Sequence, residues 1–324
     1  MKRLVLATGI ATFVLIILGG IVRVSDSGLG CGPAGSGFHG WPLCKGDVVP
    51  GVDLNSVVEY THRVVAIVVG FMILALFVMA WRRHRQLLPV TGALLVLVIA
   101  QGALGGATVE ENLEEAYVAA HLGLAMLLLG LLLHLWRGVS GAGVTNGGPR
   151  MRALGIAASV AVLCTVVAGG YMAGTQNYGR ADYQLGDGAH HACGKEFPTC
   201  NGELMPFGRA ELVDIHLTHR AFMYLASLLV IALVVVAVRR GVLTRHAWAL
   251  AGLLAVQVLV GALNVWLDEY ELLILLHLML GTLLWATTLG MTLQLAPARE
   301  RAPRRAEAPQ PELGSGGGDK AVAA

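Results

Sequence analysis

The chain has 324 residues, of which 56% are hydrophobic and 14% are charged, whereas soluble domains contain about 25% charged residues. Apolar stretches long enough to cross a bilayer recur along its length. This composition excludes a soluble globular protein and an intrinsically disordered one. The net charge of +2, with no broad basic face, excludes a nucleic-acid-binding protein. We therefore expect a polytopic protein surrounded by membrane lipid, with no nucleic acid among its partners.

Apolar segments of about 20 residues each predict eight transmembrane helices. They lie near residues 4–22, 56–80, 87–109, 117–136, 153–175, 214–238, 247–267 and 272–294. Most Lys and Arg residues lie in the segments 1–3, 81–86, 137–152, 239–246 and 295–324. The positive-inside rule places these segments in the cytoplasm. We therefore predict a multi-pass protein of a bacterial-type plasma membrane, with both termini cytoplasmic.

The sequence repeats itself with a shift of 156 or 157 residues. Residues 41–46 match 197–202, and Thr61-His62-Arg63 matches Thr218-His219-Arg220. Since each half has four helices, both halves insert in the same orientation, and we expect a pseudo-two-fold axis along the membrane normal. The predicted fold is all-α, with two tandem four-helix bundles. The predicted parts are a first bundle (1–140), a cytoplasmic linker (141–152), a second bundle (153–294) and a disordered cytoplasmic tail (295–324).

Each half places two histidines at membrane depth, at matching positions. They are His62 and His121 in the first half, and His219 and His277 in the second. A polar side chain inside a bilayer is costly and marks a candidate functional site. Two imidazoles at similar depth on neighbouring helices can ligate one haem iron between them. The alternatives are hydrogen bonding between helices and a zinc site, which needs three or four converging ligands.

The two halves differ three residues before the first of these histidines. Glu59 precedes His62, whereas His216 precedes His219. A carboxylate beside an iron suits acid–base chemistry or the orientation of a substrate. The structural alternative for Glu59 is an ion pair, with Arg63, Lys45 or Arg209.

Arg63 and Arg220 directly follow the first histidine of each pair. A guanidinium at the membrane surface can bind haem propionates. It can equally anchor its helix at the interface, and both interpretations stay open.

Four of the five cysteines lie in the two long loops predicted outside the membrane: Cys31, Cys44, Cys193 and Cys200. Disulfides persist in that compartment, and pairing within each loop would add about 2–3 kcal/mol of stability. A redox-active role is the alternative to a structural one. Metal ligation is disfavoured because no C-x-x-C spacing occurs. In the second loop we expect a disulfide and two solvated histidines, His190 and His191.

Several motifs together resemble the haem A synthase family, over about residues 4–294. They are Ser27-Gly28-Leu29-Gly30-Cys31, Trp41-Pro42-Leu43-Cys44, Glu59-Tyr60-Thr61-His62-Arg63, Gln101-Gly102, His121, Thr218-His219-Arg220 and His277. The stretch between Cys31 and Cys44 is longer than the family pattern, with a glycine-rich part at residues 32–40.

The resemblance implies an enzyme that oxidises the C8 methyl group of haem O to the formyl group of haem A, for use by a terminal cytochrome oxidase. It implies that Glu59 is catalytic and that His62 and His121 bind the substrate haem. It also implies that His219 and His277 ligate a haem b that transfers electrons, and that a Cys31–Cys44 disulfide assists the reaction.

Two other functions are compatible with parts of the sequence. A di-haem b-type cytochrome that exchanges electrons with quinone explains both histidine pairs, but not the difference between Glu59 and His216. A transporter fits a parallel repeat but does not explain the paired histidines. The expected partners of the enzyme are haem O, the haem O synthase upstream, and a quinone or other electron acceptor.

Overall fold

The computed structural model describes residues 1–49, 51–175, 188–267 and 271–295. These residues form eight long α-helices: α1 (Lys2–Val24), α2 (Leu54–Arg83), α3 (Leu88–Glu110), α4 (Glu115–Ser140), α5 (Gly148–Gly174), α6 (Glu211–Arg239), α7 (Thr244–Trp266) and α8 (Glu271–Gln294). Each is long and apolar enough to cross a membrane. The prediction of an all-α multi-pass membrane protein with eight spans is confirmed. The predicted tail, from residue 296 onward, lies outside the described residues.

Local sequence explains several helix ends. Asp53 caps α2, because its Oδ1 accepts a hydrogen bond of 3.0 Å from the backbone N–H of Ser56. Its Oδ2 lies 2.9 Å from Nζ of Lys45, and these contacts, that with Lys45 first, lower the pKa of Asp53 to about 2. Helix α4 ends at Gly141, whose φ of 70° is left-handed. Because α5 begins at Gly148, the connection between the halves is shorter than the predicted linker at 141–152.

The helices of the two halves pack in matching pairs. Within the first half, α1 contacts α2 and α4, and α3 contacts α2 and α4; within the second, α5 contacts α6 and α8, and α7 contacts α6 and α8. Contacts of α4 with α5, α1 with α8 and α4 with α8 join the halves. These pairings support the predicted pseudo-two-fold relation, which itself stays a prediction.

Small residues let helices α4, α5 and α8 approach one another closely. A methyl group added at Gly130 of α4 would lie 2.6 Å from Cη2 of Trp285, on α8. One added at Gly155 of α5 would lie 2.6 Å from Oγ1 of Thr292, also on α8. Close packing of this kind replaces the hydrophobic driving force that is absent between helices in lipid.

A test of this packing compares two leucines on α6. Leu233 is fully buried in the apolar core between helices, whereas Leu228 is 68% exposed on the helix surface. We expect Leu233→Ala to lower the free energy of unfolding by about 2–5 kcal/mol, since it leaves a cavity. Leu228→Ala should change it by well under 1 kcal/mol. Thermal or denaturant unfolding in detergent measures both, and equal losses would contradict this description of the core.

Candidate functional site

One cavity of about 1030 Å³ lies between the helices and is lined by residues of both halves. Most of its lining is apolar. Its polar side chains include all four predicted ligand histidines, together with Glu59 and the two predicted propionate-binding arginines: His62, His121, His219, His277, Arg63 and Arg220. The structure therefore brings these candidate residues, which are distant in sequence, to the walls of one space.

The second histidine pair faces across part of this cavity. The ring centroids of His219 and His277 lie 6.4 Å apart, and their planes are inclined by 67°. A metal–imidazole bond is about 2 Å long, so one metal ion between two facing imidazoles separates the ring centres by roughly 6 Å. The observed separation would therefore allow His219 and His277 to hold one metal ion between them.

Polar groups contact both rings of this second pair. Nδ1 of His219 lies 3.0 Å from the backbone oxygen of Thr165, and the side-chain nitrogen of Gln257 lies 3.3 Å from Nδ1 and 3.4 Å from Nε2 of His277. Ligand histidines usually engage their second nitrogen in this way, which fixes the ring and its tautomer. In His219 this would leave Nε2 as the nitrogen available to a metal ion.

The first histidine pair lacks such bonds. Nδ1 of His62 and Nδ1 of His121 are buried and have no hydrogen-bond partner among the described residues. Gln101, the counterpart of Gln257, donates instead to the backbone oxygen of His121, at 3.0 Å. The two pairs therefore differ in how firmly their imidazoles are held.

Each of the four histidines lies against a glycine of the preceding helix. A methyl group added at the glycine would lie within 3.2 Å of the histidine Cε1 in every case. The pairs are Gly19 with His62, Gly105 with His121, Gly169 with His219, and Gly261 with His277. This contact with glycine is a second signature of the repeat, and it was not predicted from the sequence.

Glu59 is buried, with only 3% of its surface exposed. Its Oε2 accepts a hydrogen bond of 2.8 Å from the backbone N–H of Cys31, and its Oε1 pairs with Arg63. Arg63 also donates to the backbone oxygens of Gly40 and Leu43, at 2.7 and 2.9 Å. This carboxylate is therefore tied both to its own helix and to the first long loop, residues 25–53.

The second half repeats this arrangement with a different central residue. Arg220 donates to the backbone oxygens of Glu196 and Thr199, each at 2.8 Å. In the place of Glu59, Nδ1 of His216 lies 2.7 Å from the backbone oxygen of Ala189. The glutamate therefore accepts a hydrogen bond from its loop, whereas this imidazole donates one.

Both long loops are closed by the disulfides considered above, Cys31–Cys44 and Cys193–Cys200. The expectation that His190 and His191 are solvated is wrong, because both side chains are half-buried and line the cavity. Burial holds the pKa of His190 well below its ordinary value. Among the residues that the structure describes, no group of three or more His, Cys, Asp or Glu side chains could hold a metal ion.

In each long loop, the aromatic residue directly before the proline that recurs in both halves also lines the cavity. In the first loop the indole of Trp41 lies over α3, where a methyl group added at Gly106 would be 3.0 Å from its Cδ2. At the matching positions the second half has Phe197 and Ala262. Phe197 packs edge-on against Trp266 of α7, with ring centroids 6.3 Å apart.

A family model described as "Cytochrome oxidase assembly protein" (COX15-CtaA) matches residues 2–289 of the chain. The chain belongs to this family. The resemblance inferred from the motifs is confirmed, and it extends over nearly the whole chain.

Curated relatives named "Heme A synthase" resemble the chain along most of its length. The relative from Halalkalibacterium halodurans is 32% identical over 241 residues, which are 70% of this chain and 73% of the relative. The one from Shouchella clausii is 29% identical over 72% of this chain and 74% of its own. The one from Symbiobacterium thermophilum is 32% identical over 81% of this chain and 85% of its own.

A prediction follows from the two arginines that hold the loops. Arg63→Lys keeps a positive charge beside Glu59 but loses the planar fork that reaches two carbonyl oxygens. We expect amide hydrogen exchange in residues 39–47 to become roughly tenfold faster, since bonds from charged donors contribute about 1.5–3 kcal/mol. Arg220→Lys should act in the same way on residues 196–203. Mass spectrometry resolves the two loops, and equal changes in both loops for either variant would contradict this assignment.

Proposed function

We propose that this chain is a haem A synthase, which oxidises the C8 methyl group of haem O to a formyl group and uses a bound haem b for electron transfer. The observation that carries this proposal is the pair of histidine sites in one apolar cavity, with Glu59 at one site and His216 at the other. The family match and the names of the relatives support it.

We assign the second histidine pair to the resident haem b. The centroid separation of 6.4 Å suits one iron between His219 and His277, and the contacts with Thr165 and Gln257 help to keep both rings in position. A permanently bound group benefits from ligands that are oriented before it arrives. When bound, haem b supplies one-electron redox chemistry, which protein side chains lack.

We assign the first histidine pair to the substrate. Haem O is largely apolar, and the cavity beside His62 and His121 is lined mainly by aliphatic side chains. A substrate must also leave as product, and ligands with unpartnered Nδ1 atoms are held less firmly than those of the second pair. This difference supports exchange at the first site and retention at the second.

Glu59 is the proposed catalytic residue. Conversion of a methyl group to a formyl group is a four-electron oxidation that also adds one oxygen atom. With water as the source of that oxygen the balance is R–CH3 + H2O → R–CHO + 4 H+ + 4 e−, so the electrons pass to the proposed membrane-soluble acceptor and the protons need an acceptor near the reacting edge. A buried carboxylate held by the N–H of Cys31 and by Arg63 has a fixed position from which to orient the substrate or to accept a proton. His216 cannot supply a carboxylate at the second site, which fits a role there in electron transfer alone.

The remaining parts of the proposal concern surroundings and partners. Contacts of haem propionates with Arg63 and Arg220 would be made in addition to the loop carbonyls that these side chains already bind. We further propose cytoplasmic termini, direct delivery of haem O by the haem O synthase, and a quinone or other membrane-soluble electron acceptor.

The first test replaces the carboxylate. We expect Glu59→Gln to lower haem A formation at least about 100-fold, the typical contribution of a positioned acid or base, while haem b stays bound. Glu111→Gln, at an exposed position, serves as the matched control and should retain full activity. Haem extraction and chromatography from cells that make haem O give the result. Full activity of Glu59→Gln would refute the assigned role.

The second test distinguishes an enzyme from a di-haem cytochrome. We expect His219→Ala and His277→Ala to lose the haem b spectrum, because each removes an axial ligand. His62→Ala and His121→Ala should keep that spectrum and lose only haem O and haem A. Reduced-minus-oxidised spectra and haem extraction measure both. Two equivalents of haem b in the parent protein, with no haem O or haem A, would favour the cytochrome.

A further inference from the structure

The two halves meet at a pair of adjacent glycines on each of two helices, Gly19-Gly20 on α1 and Gly169-Gly170 on α5. The first glycine of each pair lies against a histidine of its own half. A methyl group added at Gly19 would be 3.2 Å from Cε1 of His62, and one added at Gly169 would be 3.0 Å from Cε1 of His219.

The second glycine of each pair contacts the other half. A methyl group added at Gly20 would lie 2.6 Å from Cδ2 of Leu278, the residue after His277. One added at Gly170 would lie 3.0 Å from Cδ2 of Leu122, the residue after His121, and 3.4 Å from Cα of Ala119. Helices α1 and α5 therefore each touch one histidine of their own half and the neighbour of a histidine in the other half.

This contact is reciprocal in geometry, but the two sites differ in what else holds them. The imidazole of His219 is oriented by a hydrogen bond with Thr165, and that of His277 has the side-chain amide of Gln257 beside it. Those of His62 and His121 have no partner for Nδ1 among the described residues, so packing alone orients them. Because interiors are close-packed, a shift of α5 or α8 is transmitted to the side chains that touch it.

We propose that Gly20 and Gly170 are positioning residues that couple the two histidine sites, so that haem in the second site prepares the first site for its substrate. Haem bound between His219 and His277 fixes α6 and α8 and, through Gly169, α5. Gly170 of α5 then keeps Leu122 in place, and thereby the neighbouring His121. Leu278 of α8 keeps α1 in place at Gly20, and α1 in turn positions His62. This inference rests on the proposed function, because it requires that both sites bind haem.

The test measures the affinity of the first site for added haem O, in full-length protein, in detergent, without oxygen. One sample carries haem b in the second site; the other is the variant His219→Ala/His277→Ala, which presents only the first site. We expect haem O to bind the haem b-loaded protein about 5- to 150-fold more tightly, the usual range for coupled sites. An equal affinity in the two samples would overturn the coupling and leave the proposed function intact.

Two wedge variants then locate the coupling. Gly20→Val and Gly170→Val should reduce the affinity ratio toward one, while the haem b content and its reduction potential stay as in the parent. Leu278→Ala in the first variant and Leu122→Ala in the second remove the side chain that the added methyl group would approach most closely, and should restore the ratio. Gly9→Val on α1 is the control, since a methyl group there meets nothing within 4 Å.

The outcomes separate the two proposals. A full affinity ratio in both wedge variants would overturn the role of these glycines. Loss of haem b from the wedge variants together with a lowered unfolding temperature, not repaired by the leucine substitutions, would show a purely structural role and overturn it as well. Failure of the parent protein to bind any haem would overturn the proposed function, and the coupling with it.

Discussion

An imidazole in the interior of a membrane protein has little access to bulk water, so its nitrogens depend mainly on protein groups or on a bound group for their partners. This constraint shapes the site of the chain. Placing a bulky ring in the bundle requires a helix surface without a side chain opposite it, and glycine supplies that surface at all four positions. The helix pairs that carry these contacts, α1 with α2, α3 with α4, α5 with α6, and α7 with α8, are consecutive in sequence. Each histidine is therefore positioned by a simple helical hairpin.

The two long loops form the part of the site that the helical hairpins do not provide. Arg63 and Arg220 each reach two backbone oxygens of their own loop, and a disulfide closes each loop on itself. The described residues of these loops can therefore form part of the cavity wall with little regular secondary structure, namely one 3-10 turn at Gly37–His39 and two isolated β-bridges. In the first half this fixed loop also supplies the N–H that holds Glu59. The position of the Glu59 carboxylate consequently depends on residues of the loop between α1 and α2.

The eight spans could be predicted because an apolar run of about 20 residues has few alternative structures. The four histidines could be singled out because they recur at an offset of 156 or 157 residues and are rare in such runs. The backbone oxygens that Arg63 and Arg220 bind could not be predicted, because every residue has such an oxygen and nothing in the sequence distinguishes Gly40 or Thr199 as an acceptor. His190 and His191 were assigned to solvent because polar loop residues usually face water, whereas this loop folds back over the cavity. The contacts of Gly105 and Gly261 could not be predicted, because the sequence has 42 glycines and no local feature distinguishes these two.

The first half has Trp41 and Gly106 where the second half has Phe197 and Ala262. This difference limits how far the loop of one half could replace the loop of the other. The indole of Trp41 occupies the space that a side chain at position 106 would need. The contact of Trp41 with Gly106 thus fixes the first loop against α3, and the matching position on α7 does not provide such a contact. A chimera that carried the first loop in both halves would need Ala262→Gly at the same time, and the order of the two changes would matter. The two halves share a sequence pattern, but one loop cannot replace the other without a further change in the helix that it contacts.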